Sequence, residues 1–220
     1  MKLNKLIDHT LLKATATFAE IENLCKEAVE YDFYSVCVNS CYVAAAKNFL
    51  AGTDIKVCSV VGFPLGAMSA KAKYFETTEA LADGADEIDM VLNIGWLKSG
   101  ETQKVLDDIA ALKQSVGENQ VLKVILETCY LTDEEKRLAC KLALEAHADF
   151  VKTSTGFGTG GATLADVKLM KECVQGKAKV KASGGIRDYE TAMQYVALGV
   201  ERIGTSNGIA ILKGEKGTGY

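Results

Sequence analysis

The 220-residue sequence has one proline, two histidines and no long apolar run. Its longest apolar runs stay below about ten residues, whereas a membrane-spanning helix needs about 20, so no membrane contact is expected. Lysine and arginine total 25 against 29 aspartates and glutamates, a net charge of −4. Because no basic block stands out, nucleic acid is excluded as the main expected partner. The single proline and the lack of a low-complexity tract predict an ordered chain.

Seven cysteines are scattered along the chain, and none belongs to a Cys-x-x-Cys pair. Their odd number and irregular spacing argue against a disulfide framework or a zinc cluster. Most of them lie in apolar runs and are interpreted as small core residues. The amino-terminal segment MKLNKLIDHT lacks the apolar centre of a secretory signal. We therefore expect a cytoplasmic protein in a reducing compartment.

Eight short β-rich runs alternate with amphipathic helical stretches. The candidate strands are KLIDHT, SVCVNS, IKVCSVVGF, DEIDMVLNI, VLKVILET, DFVKTST, VKASGG and ERIGTS. Capping boxes at Thr17 with Glu20 and at Thr132 with Glu135 predict two helix starts. This alternation indicates an α/β protein with a parallel sheet and crossover helices.

Eight such units predict a (β/α)8 TIM barrel. A doubly wound open sheet is the alternative. We expect one domain over residues 1–220, with a short flexible carboxyl-terminal tail at about 214–220.

Three segments pass from a helix end into a strand at the same offset: ADGADEIDM, EAHADFVKT and ALGVERIGT. This register places Asp89, Lys152 and Gly204 at equivalent points on three strands. Strand side chains alternate between two faces, and Asp89 lies opposite the apolar face of its strand. In a barrel that polar face points inward, where acids and lysines are costly to bury without a purpose. The interior is therefore predicted to be a reaction site.

The same alternation directs further polar side chains inward on strands one, two and five: Asp8, Thr10, Cys37, Lys123 and Glu127. Asp8 is a candidate to orient Lys181 or Asp89, and Glu127 is a candidate for the same task. The thiol of Cys37 is expected to face the interior, where it could react with electrophilic aldehydes.

Lys152 and Lys181 lie mid-strand on the neighbouring sixth and seventh strands. Two buried cations held close together repel, so we expect the pKa of one amine to fall and leave a neutral nucleophile at about pH 7. Such an amine attacks an aldehyde or ketone and forms a Schiff base. Asp89 is interpreted as a general acid or base, acting directly or through a water. The alternative is that Asp89 only holds a lysine in place.

Two glycine-rich turns, Ser183–Gly185 and Gly204–Gly208, follow the seventh and eighth strands. Each leads into a predicted helix, so backbone N–H groups and a helix N-terminus are expected to face an anion. Barrels often bind phosphate at this corner. A third segment, Thr155–Gly161, is either a further phosphate contact or only a long loop.

The two histidines, His9 and His147, stand far apart and lack metal-ligand spacing. The sequence also lacks a Gly-x-Ser-x-Gly elbow, a Walker loop and a dinucleotide fingerprint. We therefore expect neither a metal nor a cofactor, and carbonyl chemistry that runs on amines and carboxylates.

The segments DEIDMVLNIG, VLKVILET, FVKTSTGF and VKASGGIR together resemble the deoxyribose-phosphate aldolase family. The resemblance runs from LIDHTLL to RIGTSNG, nearly the whole chain. It implies a barrel enzyme that cleaves 2-deoxy-D-ribose 5-phosphate to D-glyceraldehyde 3-phosphate and acetaldehyde in deoxyribose phosphate catabolism. It further implies that Lys152 forms the Schiff base and that Asp89 and Lys181 relay protons.

By the same resemblance, six residues would bind the substrate and its phosphate: Gly156, Gly184, Gly185, Gly204, Thr205 and Ser206. Asn207 departs from the family pattern, in which a small residue is common. Family members often end in a tyrosine that assists proton transfer, and Tyr220 fits this pattern. The expected partner is a phosphorylated sugar, and a homo-oligomer formed through the outer helices is left open.

Two alternative functions remain at this point. Another Schiff-base barrel enzyme, such as a transaldolase or a keto-acid aldolase, would share the lysines but not the acetaldehyde product. A non-catalytic barrel that binds a sugar phosphate is the second alternative. Two inward lysines beside an inward aspartate favour an enzyme.

Overall fold

A computed structural model describes residues 2–219, and in it eight parallel strands follow one another around a closed barrel. The strands are β1 (Ile7–Leu11), β2 (Ser35–Asn39), β3 (Lys56–Val61), β4 (Glu87–Val91), β5 (Val121–Ile125), β6 (Phe150–Lys152), β7 (Lys179–Ser183) and β8 (Arg202–Thr205). Because β8 pairs with β1, the predicted (β/α)8 barrel is confirmed and the open doubly wound sheet is wrong.

Helices follow the strands and surround the barrel. They are α1 (Phe18–Glu30), α2 (Val43–Phe49), α3 (Ala70–Ala82), α4 (Ile94–Lys98), α5 (Thr102–Ser115), α6 (Asp133–Glu145), α7 (Leu164–Val174), α8 (Tyr189–Ala197) and α9 (Gly208–Lys213). Both predicted capping boxes are present, at the starts of α1 and α6. Three short 3-10 helices lie at Leu3–Leu6, Ser40–Tyr42 and Thr128–Tyr130. Among residues 2–219, no helix is long and apolar enough to cross a bilayer.

The main core lies between the barrel and the helices. On β4, Ile88 and Met90 point away from the barrel axis into this layer, where Ile109 and Leu112 of α5 are equally buried. Burial of one such side chain stabilises the fold by about 1.5–3 kcal/mol. The alternate residues of the same strand, Glu87 and Asp89, are also buried, and this leaves their charges to be satisfied inside the barrel.

Three helix-to-strand links use a residue with positive φ at the same offset. Gly84, His147 and Gly199 have φ of 102°, 57° and 81°. The left-handed turn lets each helix end and the chain reverse into the next strand. The repeated link explains why β4, β6 and β8 start in the same register.

The described part of the tail, 215–219, has no regular secondary structure and lies against the loops that follow β7 and β8. Gly217 N–H donates to the carbonyl of Arg187 over 2.8 Å, and Gly219 N–H donates to Asn207 Oδ1 over 2.8 Å. Tyr220 lies outside the described residues.

Candidate active site

Alternating charges fill the interior of the barrel. Asp89 Oδ1 on β4 lies 2.7 Å from Lys123 Nζ on β5, and that same amine lies 2.6 Å from Glu87 Oε2. Glu87 Oε1 in turn lies 2.7 Å from Nη2 of Arg202 on β8. These contacts link side chains of β4, β5 and β8 by complementary charges.

The chain of ion pairs closes through the first strand. Arg202 Nη1 binds Asp8 Oδ1, and Asp8 Oδ2 binds Lys181 Nζ on β7. Lys181 Nζ then lies 2.9 Å from Asp89 Oδ2. We call this closed circuit the charged ring; its members are Asp89, Lys123, Glu87, Arg202, Asp8 and Lys181.

Lys152 contacts the charged ring at one point. Its Nζ lies 2.7 Å from Asp89 Oδ2, the oxygen that Lys181 also approaches. Lys152 and Lys181 are register partners on β6 and β7, so their amines reach the same carboxylate. Lys152 also lines the cavity above the ring, which places its amine between the ring and the open end of the barrel.

The surrounding cations keep the two central carboxyl groups ionised. Burial alone would raise the pKa of Asp89, but the nearby ammonium groups, Lys123 first, hold it well below its ordinary range. Burial would likewise raise the pKa of Asp8, but Arg202 and then Lys181 lower it. Both side chains are therefore carboxylates at neutral pH.

Lys181 is not the lysine whose pKa falls. Burial alone would lower its pKa, but the carboxylates of Asp8 and Asp89 outweigh burial and raise the pKa well above its ordinary value. The pKa of Lys123 is raised for the same reason, chiefly by Asp89. The amine on β7 is thus held as a cation, because it lies between two carboxylates.

Asp8, Thr10 and Cys37 face the interior, as the alternation predicts. Asp8 contacts Lys181 directly. Thr10 Oγ1 donates to the backbone carbonyl of Asp8 over 2.8 Å, and its side chain reaches the cavity above. Cys37 is fully buried and is the register partner of Cys58 on β3.

The side-chain hydrogen bonds of Glu127 go to a loop rather than to Lys181 or Asp89, the groups that it was expected to orient. It lies beyond the end of β5 with a φ of 55°, so the alternation of the strand no longer applies to it. Its carboxylate accepts hydrogen bonds from the backbone N–H and the hydroxyl of Thr155. Glu127 therefore holds the loop that follows β6.

One cavity opens above the charged ring at the carboxyl ends of the strands. Its lining comprises Thr10, Leu12, Lys152, Thr155, Gly156, Ser183, Gly184, Gly185, Ile186, Gly204, Thr205 and Ser206. All six residues predicted to bind the substrate and its phosphate belong to this lining. The hydroxyl of Thr205 donates to the carbonyl of Ile186 over 2.7 Å, which ties the two glycine-rich loops together.

Gly204 gives Lys181 the space that it occupies. A Cβ atom at this position would lie 3.0 Å from Lys181 Cε and 3.0 Å from Ser183 Cβ. A larger residue would therefore require the side chain of Lys181 or Ser183 to shift by a few tenths of an ångström. The glycine on β8 therefore shapes the site through its missing side chain.

The start of α8 does not supply an open helix N-terminus. The side chain of Asp188 caps it by accepting a hydrogen bond from the N–H of Thr191 over 2.8 Å. The cavity is lined instead by the loop at 184–186, which precedes the helix.

A wider cleft of about 530 Å³ lies at the opposite, amino-terminal end of the barrel. Its lining includes Phe150, Lys177 and Lys179 but no member of the charged ring. Size alone would therefore select the wrong end of the molecule, because catalytic groups in such barrels lie at the carboxyl ends of the strands.

Three members of the charged ring have no predicted role in the site: Lys123, which the alternation directs inward, and Glu87 and Arg202. Glu87 stands two residues before Asp89, and Arg202 stands two residues before Gly204. The two-residue alternation that indicates Asp89 therefore also directs them inward. The sequence pattern does not show that Glu87 of β4 forms an ion pair with Arg202 of β8, on the opposite side of the barrel.

Residues 2–214 match the family model described as DeoC/LacD family aldolase. The chain belongs to this family of aldolases. A deoxyribose-phosphate aldolase from Brevibacillus brevis is 58% identical over 219 residues, covering 100% of this chain and 99% of that protein. One from Streptococcus pneumoniae serotype 19F is 59% identical over 219 residues, again covering 100% of this chain and 99% of that protein.

Solved structures agree with this family. A deoxyribose phosphate aldolase from Aeropyrum pernix, described as having a unique tetrameric structure, superposes with a TM-score of 0.88 at 33% identity. The match covers 96% of this chain and 89% of that one. The resemblance to deoxyribose-phosphate aldolases is thus confirmed, and the chain is a lyase of the aldolase type.

Proposed function

We propose that this aldolase reversibly cleaves 2-deoxy-D-ribose 5-phosphate to D-glyceraldehyde 3-phosphate and acetaldehyde, in deoxyribose phosphate catabolism. One observation carries the proposal. The Lys152 amine lies 2.7 Å from Asp89, on the lining of a cavity that is otherwise made largely of glycine-rich loops. This arrangement supports an attacking amine, a proton-transfer group and an anion pocket in one place.

Lys152 is the proposed Schiff-base lysine because the charged ring is balanced without it. The ring pairs three carboxylates with three cations. If Lys152 is neutral, these six charges stay in complementary pairs. If Lys181 were neutral, Asp8 and Asp89 would each lose a positively charged partner. An unpaired buried charge is costly, so loss of the Lys152 proton disturbs the interior least.

Asp89 and Lys181 are proposed to move the protons. Asp89 Oδ2 lies within hydrogen-bond distance of both amines, so a proton leaving Lys152 has an acceptor at once. The neutral amine attacks C1 of the open-chain sugar and forms a carbinolamine. Lys181, a cation held next to this position, then supplies the proton with which hydroxide leaves as water, directly or through a water molecule.

The resulting iminium is the electron sink for carbon–carbon cleavage. Asp89 first passes the proton that it took from Lys152 to the Lys181 amine, which restores the carboxylate and the cation. Asp89 then removes the proton from the C3 hydroxyl, directly or through water, and the C2–C3 bond breaks. The bonding electrons pass to the iminium and leave an enamine on Lys152, while D-glyceraldehyde 3-phosphate departs. Protonation and hydrolysis of the enamine release acetaldehyde and restore the amine. These steps use amines and a carboxylate alone.

The glycine-rich loops are proposed to bind the phosphate. Gly184, Gly185, Gly204, Thr205 and Ser206 line the side of the cavity nearest β7 and β8, and Gly156 approaches it from the loop after β6. Backbone amides and hydroxyls of this kind suit a phosphate group. Lys152 lines the same cavity, so a bound phosphate would fix how far the sugar reaches towards the amine.

Tyr220 is proposed to assist proton transfer from the end of the tail. The hydrogen bond from Gly219 to Asn207 brings the tail next to Ser206. A Cβ atom on Gly219 would lie 2.5 Å from Ser206 Oγ, so only glycine permits this approach. Asn207, the departure from the family pattern, therefore supports the tail rather than the phosphate in this proposal.

Three further parts of the proposal concern the setting of the enzyme. The chain acts as a single domain, because the barrel closes only when β8 reaches β1. It assembles with further copies of itself, as the described tetramer of the Aeropyrum pernix relative suggests. It works in the cytoplasm, where a reducing environment suits its seven free cysteines.

The first experiment is borohydride reduction in the presence of acetaldehyde, followed by peptide mass mapping. A stable two-carbon adduct on Lys152 is the expected result, because borohydride reduces the iminium. A matched assay with 2-deoxy-D-ribose 5-phosphate measures the release of acetaldehyde.

The other possible results of this experiment would change the proposal in different ways. An adduct on Lys181 alone would exchange the roles of the two lysines. No adduct and no acetaldehyde would refute the proposed reaction. A reduced adduct with dihydroxyacetone units, formed while acetaldehyde is ignored, would instead indicate a transaldolase.

A further inference from the structure

Two cysteines on adjacent strands face each other inside the barrel, next to the charged ring. Cys37 on β2 and Cys58 on β3 are register partners, and both are fully buried. They form a small cluster with Leu12, Val60 and Phe63, separate from the main core between strands and helices. The proposed reaction uses neither thiol.

The two thiols share their position with one carboxylate. Cys58 Sγ donates to Asp89 Oδ1 over 3.1 Å. The two sulfur atoms and one oxygen of Asp89 all lie within 4.8 Å of one another. The thiols also hydrogen-bond to each other, which lowers the pKa of Cys37, while burial raises the pKa of Cys58.

Two sulfurs and a carboxylate oxygen are a ligand set for a soft divalent cation. Zinc binds thiolates at about 2.3 Å and carboxylates at about 2.0–2.2 Å, so its ligand atoms lie about 3.5–3.8 Å apart. Donor atoms that already lie within 4.8 Å reach this spacing by small side-chain rotations. We propose that Cys37, Cys58 and Asp89 bind one soft divalent cation, such as Cd²⁺ or Zn²⁺, and that the bound cation inhibits the aldolase.

Binding leaves the charge of the interior unchanged. One cation of charge +2 enters, two metal–sulfur bonds form, and the two S–H bonds break with release of two protons to water. The ion pairs of the charged ring therefore need no new counter-ion. Lys123 Nζ lies 3.5 Å from Cys58 Sγ, where a positive charge stabilises the thiolate that the metal requires.

The bound cation is expected to inhibit the enzyme because Asp89 serves both the metal site and the reaction. The inhibition, unlike the binding, rests on the proposed function. Asp89 faces Cys58 and Lys123 with one oxygen and Lys152 and Lys181 with the other. A cation on this carboxylate competes with the lysines for its negative charge. With its carboxylate bound to the cation, Asp89 can no longer take the proton of the C3 hydroxyl, so the C2–C3 bond of the substrate is not cleaved.

The test is a titration of the full chain with Cd²⁺ alone, in a phosphine reductant that keeps the thiols reduced. The readouts are the ultraviolet charge-transfer band of thiolate-bound cadmium and the number of ions bound per chain. Cys58→Ser and Cys37→Ser each remove one ligand. Cys173→Ser is the matched control, because it removes a thiol that lies beside Cys140 on the outer helices.

We expect the parent chain and Cys173→Ser to bind one cadmium ion at this site. In Cys58→Ser and Cys37→Ser its affinity should fall by at least about tenfold. Cd²⁺ should also raise the thermal unfolding midpoint of the parent but not of Cys58→Ser, which separates lost binding from lost folding. Unchanged cadmium affinity in both ligand variants would overturn the site.

Turnover of 2-deoxy-D-ribose 5-phosphate tests whether the bound cation inhibits the enzyme. One equivalent of Cd²⁺ should stop the parent and Cys173→Ser, and a chelator should restore both. Cadmium bound through Cys37 and Cys58 without any loss of turnover would overturn inhibition. If the chain does not cleave this sugar phosphate at all, the proposed function fails, while the absorption band still decides whether the site exists.

Discussion

Lys152 and Lys181 approach the same oxygen atom of Asp89, at 2.7 Å and 2.9 Å. Their surroundings differ in one respect. Lys181 forms an ion pair with a second carboxylate, Asp8, whereas Lys152 forms its ion pair with Asp89 and borders the cavity. Two lysines of the same type on adjacent strands are therefore suited to different tasks, one as the nucleophile and the other as a fixed cation.

The first prediction tests this division of tasks with Lys152→Ala. We expect kcat to fall by at least about a thousandfold, because no other amine borders the cavity in the described structure. Acetaldehyde release and borohydride trapping measure the effect. Lys179→Ala is the matched control, because this exposed lysine begins β7 at the opposite end of the barrel. Activity of Lys152→Ala close to that of the control would contradict the assignment.

The second prediction concerns stability in acid. The pKa values of Asp8 and Asp89 are lower in the folded chain than in the unfolded chain. Stability from such groups is present above the unfolded pKa, about 3.9, and is lost as the pH falls below it. We expect the free energy of unfolding, measured by urea titration, to decrease steeply from about pH 5 downward.

Asp8→Asn provides the comparison for this pH dependence. The variant should be less stable than the parent at neutral pH, because Arg202 and Lys181 each lose a carboxylate. The difference in unfolding free energy should shrink as the pH falls and the parent's Asp8 takes up its proton. A difference that stays constant down to about pH 3 would show that Asp8 titrates normally in the folded chain.

The third prediction concerns the far side of the charged ring. Arg202→Met or Glu87→Gln leaves a buried charge with fewer partners, and each should cost about 3–5 kcal/mol of unfolding free energy. Because the two side chains are 2.7 Å apart, the double variant should be less destabilised than the sum of the single ones. A coupling energy of about 1–3 kcal/mol by chemical denaturation is expected. Strict additivity would mean that the pair does not interact.

The alternation of strand side chains accounts for what the sequence predicts well. It places Asp8, Asp89, Lys152 and Lys181 inward, and the structure has them there because a barrel strand keeps its two faces along its length. Glu127 shows the limit of the pattern, because the alternation ends where the strand does. Pairings around the barrel, such as those of Arg202, depend on strand order and tilt, which no local pattern contains.

The fourth prediction concerns the space beside Lys181. In Gly204→Ala the new methyl group would meet Lys181 Cε at 3.0 Å and move its amine away from Asp8 and Asp89. We expect kcat to fall by about 10- to 100-fold, because small displacements of catalytic groups have effects of this size. Steady-state kinetics should show a smaller change in KM. Gly95→Ala, whose Cβ would meet only an ordinary contact at 3.5 Å, is the control and should retain parent activity.

The last prediction concerns the tail, whose described part is hydrogen-bonded to Asn207 next to the cavity. Deletion of Tyr220 should lower kcat, because the proposed proton-transfer group is lost, while the affinity for inorganic phosphate stays the same because the glycine-rich loops are intact. Tyr220→Phe keeps the ring and removes only the hydroxyl, so it should lower kcat to the same extent if the hydroxyl carries the effect. A phenylalanine variant as fast as the parent would assign the effect to packing of the tail. Equal rates in all three chains would mean that Tyr220 has no part in the reaction.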